Sequence, residues 1–105
     1  MWDRGAVLYG ASKGFVSTFT RGLAKEEAPH GIRVNAVAPG VITTPFHERH
    51  TPAQALEAMR KGIPLQRLGT SEECVGAYLY LASDALSGYV TGQIIAVDGG
   101  RSVSL

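Results

Sequence analysis

Several features are scarce in this sequence of 105 residues, and each scarcity excludes a class of protein. Cys74 is the single cysteine, so no internal disulfide can form. No stretch reaches the roughly 18 consecutive apolar residues of a membrane span, and no basic head precedes an apolar signal core. Lys and Arg total 10 against 9 Asp and Glu, and a net charge of +1 provides no field to attract nucleic acid. We expect a cytoplasmic protein without membrane or nucleic-acid partners.

The composition is that of a folded protein. Hydrophobic residues make up 45% of the chain and charged residues 18%. This mixture supplies enough apolar surface to offset the entropy of the chain, and the length allows one domain at most. We therefore treat residues 1–105 as one structural unit.

The first half of the chain predicts a helix, a strand and a second helix. Phe15, Phe19 and Leu23 recur every four residues in a proline-free stretch, which predicts a helix over residues 7–28. Residues 32–38 form a mostly apolar run closed by Pro-Gly, which is typical of a buried parallel strand. A short helix follows, with Thr51 as its cap, Pro52 at its first position and Gly62 after its end, and with Leu56 and Met59 on its apolar side.

The second half predicts a further helix and strand. Thr70 and Glu73 have the spacing of a capping box, and the next apolar residues keep a helical period: Val75, Tyr78, Leu79 and Ala82. Residues 93–97 predict a second buried strand that ends at Asp98-Gly99-Gly100. The predicted order is α-β-α-α-β. Strands joined through helices pair in parallel, which predicts part of an open α/β sheet, incomplete as a domain because two strands leave both edges exposed.

Tyr9 and Lys13 are the first candidates for chemistry. They are four residues apart on the predicted helix, so both side chains leave the same face and can contact one ligand. A nearby ammonium lowers the pKa of a phenol from about 10, which makes tyrosine a usable proton shuttle. The alternative is a tyrosine packed on a lysine stem at a helix surface.

A second candidate segment follows the first predicted strand. Pro39 lacks a backbone donor and Gly40 lacks a side chain, so a flat ring could approach the backbone at the carboxyl end of the strand, where open α/β sheets bind ligands. An ordinary turn is the alternative. Thr43 and Thr44 could donate to an amide or a phosphate, or cap the next element.

Three segments together resemble the C-terminal portion of a short-chain dehydrogenase/reductase, in the order and spacing of that family. They are Tyr9-Gly-Ala-Ser-Lys13, residues 33–44 (RVNAVAPGVITT) and residues 92–100 (GQIIAVDGG). The resemblance implies a Rossmann-type doubly wound parallel sheet, of which residues 1–105 are the C-terminal half. It also implies an oxidoreductase that transfers a hydride between NAD or NADP and a small carbonyl or secondary alcohol substrate.

The resemblance also implies residue roles. At the matching positions, Tyr9 would be the general acid/base, and Lys13 would lower its pKa and bind the nicotinamide ribose. Both residues therefore belong to the catalytic pair and to the cofactor site.

The remaining cofactor positions lie after the first predicted strand. Pro39, Gly40 and Ile42 match the segment that lines the nicotinamide ring, and Thr44 matches the threonine on the carboxamide or phosphate side of the cofactor. The cofactor performs the hydride chemistry, while the protein positions and polarises the reacting groups.

Other family features are missing from these 105 residues. The glycine pairs 10/14 and 88/92 lack the third glycine of a phosphate loop, and only eight residues precede Tyr9, too few to include the family's catalytic serine. Activity of this chain alone is therefore doubtful. The alternative function is a noncatalytic remnant or a fragment that binds related subunits.

Three further features of the sequence each allow two interpretations. Gly10, Gly14, Thr18 and Gly22 form a small-residue stripe that favours close packing of another helix, and the family resemblance implies a homo-oligomer, a dimer or tetramer. A close contact within the chain is the alternative. Residues 47–50 (HERH) have no supporting carboxylate or cysteine cluster, so we predict a solvated turn and no metal site. Phe46, Leu56 and Met59 could form an apolar lid over a substrate, or helix core.

Overall fold

The computed structural model describes residues 6–104, apart from the side chains of Tyr9 and of residues 46–48. Its elements run in the order α1 (Ala6–Glu27), a 3-10 helix (Ala28–His30), β1 (Ala36–Pro39), α2 (Pro45–His50), α3 (Ala53–Lys61), α4 (Ser71–Ala82), α5 (Asp84–Ser87) and β2 (Ile94–Val97). The α/β class and the predicted order are confirmed, with two short helices added.

The long first helix is confirmed almost to the residue. It spans Ala6–Glu27, and Pro29 then takes part in the 3-10 turn that follows it. Gly31 ends this turn in the left-handed region with φ 74°, and its N–H donates to the carbonyl of Ala28 at 3.0 Å. Glycine adopts this conformation without steric cost, which explains why the helical course stops here. Within residues 6–104, no helix combines the length and apolar character needed to cross a membrane.

The two strands pair in parallel, as predicted. Ala36 is in register with Ile94, and Pro39 with Val97. Both strands are shorter than the predicted ranges 32–38 and 93–97, because side chains take part of the backbone hydrogen bonding at their amino ends. The N–H of Val34 donates to Oγ1 of Thr91 at 3.0 Å, and the N–H of Gln93 donates to Oδ1 of Asn35 at 3.0 Å.

The capping box of α4 is confirmed, but the predicted apolar face is wrong. The N–H of Glu73 donates to Oγ1 of Thr70, and the N–H of Thr70 donates to the Glu73 carboxylate. The helix turns Cys74, Ala77 and Leu81 inward, whereas the predicted stripe is exposed, with Leu79 at 65%. A helix that is apolar nearly all round offers two stripes of equal period, and periodicity alone cannot choose between them.

The third helix begins one residue later than predicted. Pro52 is the residue before α3 rather than its first residue, and its carbonyl accepts from the N–H groups of Ala55 and Leu56 at 3.0 and 3.1 Å. Thr51 is therefore not the cap of this helix. Gly62 follows its last residue, as predicted, and Leu56 and Met59 are half-buried.

Two short helices were not predicted. The segment 47–50, predicted as a turn, belongs to α2, and α5 forms a single turn capped by Ser83, whose Oγ accepts from the N–H of Leu86 at 3.3 Å. Elements of four and six residues are too short to show a helical period in the sequence.

Few described residues are fully buried. They are Thr20, Ala24, Ile63, Cys74 and Ser87. The Cα radius of gyration is 16.0 Å, whereas a compact domain of this length has about 13 Å. Much of the apolar surface of α1 and α4 therefore faces solvent in this chain.

Candidate functional site

The carboxyl ends of the two strands lie side by side and define the candidate site. The N–H of Gly40, directly after β1, donates to the carbonyl of Val97 at 2.9 Å, so the pairing continues one residue beyond the strand. Open α/β sheets bind their ligands beyond this edge. The predicted Pro39-Gly40 segment therefore has the position that a ligand-binding turn requires.

The loop that follows β1 is held by a second segment of chain. The N–H of Thr43 donates to the carbonyl of Gly69 at 2.8 Å, and the N–H of Gly69 donates to the carbonyl of Val41 at 3.0 Å. These bonds form an isolated parallel bridge between Ile42 and Gly69. The predicted cofactor residues Ile42 and Thr44 are consequently presented on a backbone with a fixed course.

A cleft of about 490 Å³ adjoins this loop at the carboxyl ends of both strands. We call it the strand-end cleft. Its volume falls in the range of small-molecule sites. Most of its lining is apolar, and the lining residues are Val41, Ile42, Ile63, Pro64, Leu65, Arg67, Gly69, Glu73, Ala96, Val97, Asp98, Gly99 and Gly100.

An ion pair stands at the rim of the strand-end cleft. Nη1 and Nη2 of Arg67 each donate to one carboxylate oxygen of Glu73 at 2.7 Å. These bonds and the backbone N–H of Thr70 lower the pKa of Glu73 to about 2. Both members are charged at neutral pH and offset each other, so the rim adds polarity without net charge.

Asp98 organises the turn that forms the opposite wall. Its carboxylate accepts from the N–H of Gly100 at 3.0 Å, from the N–H of Ser102 at 3.1 Å and from the Ser102 hydroxyl. These bonds, with the Ser102 hydroxyl contributing most, hold the pKa of Asp98 below its usual value. Asp98 thus acts on its own turn rather than as an acid for a ligand.

The turn after β2 also contacts the segment that precedes α4. The carbonyl of Gly99 accepts from the N–H of Leu65 at 3.1 Å. A Cβ at Gly99 would lie 2.7 Å from Cγ2 of Ile63, and the φ of Gly99 is 64°. The close approach of these two segments forms the back of the cleft.

Gly40 has a structural role that the sequence did not reveal. A Cβ at this position would lie 2.6 Å from Cβ and 2.8 Å from Cα of Asp98. Glycine is therefore required by the neighbouring strand end itself. That a flat ring approaches the backbone at Gly40 stays a prediction.

The six predicted site residues lie on two elements. Pro39, Gly40, Ile42 and Thr44 share the loop after β1, as described above. Tyr9 and Lys13 share α1, where Lys13 is exposed, while the side chain of Tyr9 lies outside the described residues. The helix is continuous through both positions, so their backbones are one turn apart.

The loop after β1 fits one end of a nicotinamide cofactor. Pro39 and Ile42 offer apolar surface, and the half-buried Thr44 brings a hydroxyl group that can bond an amide. A diphosphate requires a glycine-rich turn between a strand and a helix, whereas the turn between β1 and α2 reads GVITT. The described residues therefore fit the nicotinamide end of the group and not its diphosphate.

A cluster centred on Arg33 was missed by sequence reasoning. Nη2 of Arg33 donates to the carbonyl of Leu81 at 2.8 Å and to Asp84 at 3.0 Å, and Nη1 donates to the carbonyl of Val90 at 3.1 Å. Nδ2 of Asn35 donates to the same Val90 carbonyl at 3.0 Å. The cluster fixes where β1 begins relative to α4 and β2. The only signal in the sequence is a charged and an amide side chain within an otherwise apolar run.

The chain matches the family model for enoyl-(acyl carrier protein) reductase over residues 1–102. It is 51% identical over 96 residues to the 3-oxoacyl-[acyl-carrier-protein] reductase FabG of Thermotoga maritima, covering 91% of this chain and 38% of that protein. Across the first curated relatives that it matches, the chain spans 33–38% of their length.

Solved structures agree with the sequence comparison. A putative 2-deoxy-D-gluconate 3-dehydrogenase from Agrobacterium tumefaciens, solved with bound NADP, superimposes with a TM-score of 0.80 at 44% identity, over 89% of this chain and 38% of that one. An NADH-dependent reductase responsible for alginate metabolism superimposes with a TM-score of 0.79 at 37% identity, over 95% and 36%. These similarities, together with the parallel strand pair, show that the chain belongs to the short-chain dehydrogenase/reductase family.

Proposed function

We propose that the protein containing this chain is an NAD(P)-dependent oxidoreductase that interconverts a small carbonyl compound and the corresponding alcohol. The observation that carries the proposal is the uninterrupted helix α1, because it keeps Tyr9 and Lys13 one turn apart on one face. The relatives support it: the Thermotoga maritima protein is a 3-oxoacyl-[acyl-carrier-protein] reductase, and the Agrobacterium tumefaciens structure holds NADP.

In this proposal the proton moves through Tyr9. During reduction its phenol donates a proton to the carbonyl oxygen of the substrate, and during oxidation the phenolate takes the proton back. The Lys13 ammonium favours the phenolate and thereby lowers the pKa of Tyr9 toward neutrality. The nicotinamide cofactor, when bound, supplies or accepts the hydride.

The loop after β1 positions the reacting groups. Pro39, Gly40 and Ile42 would line the nicotinamide ring, and Thr44 would bond its carboxamide or phosphate side. Because Ile42 also lines the strand-end cleft, the substrate has an apolar space beside the ring. The Arg67–Glu73 pair leaves that space without net charge at its rim, which favours neutral substrate groups.

The proposal assigns a part of the machinery to this chain. The phosphate loop and the family's catalytic serine have no counterpart in these 105 residues. Residues 1–105 would then correspond to the C-terminal half of the Rossmann domain. Turnover is proposed for the whole protein that contains this chain, and not for the 105 residues alone.

The test is a pair of Tyr→Phe substitutions in that protein. Tyr9→Phe removes the proposed proton donor, and we expect carbonyl reduction with NADH or NADPH to fall by roughly 10²-fold or more. Tyr89→Phe is the matched control, since Tyr89 is fully exposed. Equal losses in both variants, or full activity of Tyr9→Phe, would remove Tyr9 from the mechanism.

Lys13 is tested through the pH profile. With Lys13→Met, we expect the rise of the oxidation rate with pH to move to higher pH, because the phenol then ionises less readily. Lys61→Met is the control, because Lys61 lies at the end of α3 and outside the proposed site. A profile that keeps its midpoint would contradict the proposed action of Lys13 on Tyr9.

A second candidate function is association without turnover. The observation in its favour is the open face of α1: Phe15 is 66% exposed, and nothing lies within 4 Å of a Cβ built at Gly14 or Gly22. Such a chain would bind a longer relative or a second copy through α1. Co-expression with a full-length relative, followed by sedimentation, tests it, and separate migration of the two chains would refute it.

A further inference from the structure

A second cleft lies at the other end of β2, away from Pro39-Gly40. It has a volume of about 310 Å³ and separates the C-terminal half of α1 from the segment that enters β2. We call it the basic cleft. Its lining residues are Arg21, Ala24, Lys25, Ala28, Thr91, Gly92 and Gln93.

Two cations line the basic cleft. Arg21 and Lys25 are four residues apart on α1, so their side chains leave the same face. Neither forms an ion pair with any residue among 6–104 whose side chain is described. Glu27, two residues after Lys25, contacts Nδ1 of His30 at 3.2 Å instead.

The two cations repel each other across one turn of the helix. Like charges at this spacing destabilise a helix. Lys25 lies in the last turn, where a cation interacts favourably with the helix dipole, but Arg21 lies a turn earlier, where this effect has faded. An anion between the two side chains would remove their repulsion.

The facing wall offers neutral donors. Oγ1 of Thr91 accepts from the N–H of Val34 at 3.0 Å, which leaves its hydroxyl hydrogen for another acceptor. The side-chain amide of Gln93 is exposed beside it. Ala24 and Ala28 add an apolar floor, and the space exceeds what one phosphate group fills.

We propose that the basic cleft binds a small phosphorylated molecule, with its phosphate between Arg21 and Lys25 and its organic part against Ala24 and Ala28. Two cations on one side, a hydroxyl and an amide on the other match the acceptor oxygens of a phosphate. The site lies at the opposite sheet edge from the proposed nicotinamide loop, so it stands independently of the proposed oxidoreductase activity.

The experiment is calorimetric titration of the full chain with inorganic phosphate and with pyrophosphate at constant ionic strength. We expect saturable binding of at least one probe, and roughly tenfold or greater weakening in Arg21→Gln/Lys25→Gln. Gln is a good helix former and both positions are exposed, so the fold of α1 is retained. The matched control is Lys61→Gln/Arg101→Gln, which removes two charges elsewhere.

A second variant tests the cleft itself. Ala28→Glu introduces a carboxylate at the exposed Ala28 without touching either cation, and we expect it to abolish binding. Unaltered binding by Arg21→Gln/Lys25→Gln, equal weakening in the control pair, or no saturation by either probe at millimolar concentration would each overturn the proposal. Binding of pyrophosphate but not phosphate would support it and indicate a diphosphate ligand.

Discussion

Gly40, beside the strand-end cleft, has no space for a methyl group. The atoms that a Cβ would meet are Cβ and Cα of Asp98, and the second of these belongs to the backbone. A backbone atom cannot rotate out of the way as a flexible side chain can. The constraint therefore acts on the spacing between the two strand ends.

We predict that Gly40→Ala destabilises the chain by about 1–3 kcal/mol, because the strand ends must separate to accept the methyl group. The measurement is the urea midpoint of the far-ultraviolet circular dichroism signal. The control is Gly76→Ala in α4, where nothing lies within 4 Å of the new Cβ. There we expect a gain of about 0.5–1 kcal/mol from helix propensity. Equal effects of the two substitutions would contradict the predicted crowding at Asp98.

Glu73 makes the stability of the chain depend on acid pH. Its pKa is about 2 in the folded chain against an ordinary value of 4.5, so the folded state binds its proton less readily than the unfolded state does. The stabilisation is complete above about pH 4.5 and is lost as the pH falls toward about 2.

We predict that Glu73→Gln flattens the fall in unfolding free energy between these two pH values. Gln keeps the capping-box geometry but loses the charge that Arg67 binds. Denaturant titrations at a series of pH values measure this slope. Glu72→Gln, one residue earlier and also exposed, should leave the slope unchanged. A slope that survives in Glu73→Gln would assign the acid sensitivity to another group.

At the scale of elements, Arg33 joins three parts of the chain. It bonds the end of α4 through Leu81, the start of α5 through Asp84 and the approach to β2 through Val90. Its side chain is 17% exposed, whereas that of Asp84 is 92% exposed. The two carbonyl bonds are therefore better shielded from water than the ion pair, which solvent screens.

We predict that Arg33→Lys destabilises the chain by about 1–3 kcal/mol, since one ammonium cannot reach both carbonyls in the geometry of the guanidinium. Asp84→Asn should change stability by less than about 0.5 kcal/mol, because it removes only the exposed contact. Chemical denaturation of both variants gives the comparison. A larger loss of stability in Asp84→Asn than in Arg33→Lys would show that the ion pair contributes more than the two carbonyl bonds.

Elements with long periodic patterns were predictable from the sequence, and those set by tertiary contacts were not. The proline-free stretch predicts α1, and Thr70 with Glu73 predicts the start of α4, because both signals are local. The choice between Cys74 and Val75 as the inward side of α4 depends on where the sheet lies. Likewise, Pro39 and Gly40 could be singled out by their place after a strand, whereas Ile42 followed only from the family resemblance. Arg67 beside the cleft bonds Glu73, six residues away, a separation that no helical pattern indicates.

At the scale of the whole molecule, apolar surface exceeds what the chain itself can cover. Phe15 and Phe19 stack with ring centroids 5.6 Å apart, yet they are 66% and 53% exposed. On α4, Tyr78 is 54% and Leu79 65% exposed. Contiguous apolar faces of this kind mark surfaces that pack against other protein.

We predict that the 105-residue chain by itself self-associates. Sedimentation velocity should show an average mass that rises with concentration, and Phe15→Gln/Phe19→Gln should reduce that rise because it removes the stacked pair from the surface. A control substitution on the polar side of α3, Gln54→Ala, should leave the association unchanged. A monomer at every concentration would show that these faces do not drive association.

The pairing of β1 with β2 has a consequence for how the chain is made. Ala36 is in register with Ile94, which is synthesised later. At about 5–20 residues per second, the ribosome needs roughly 3–12 s to add the intervening residues. During those seconds the apolar segment of β1 lacks its partner strand β2. Pairing of β1 with β2 can therefore be completed only after residue 97 has left the ribosomal tunnel.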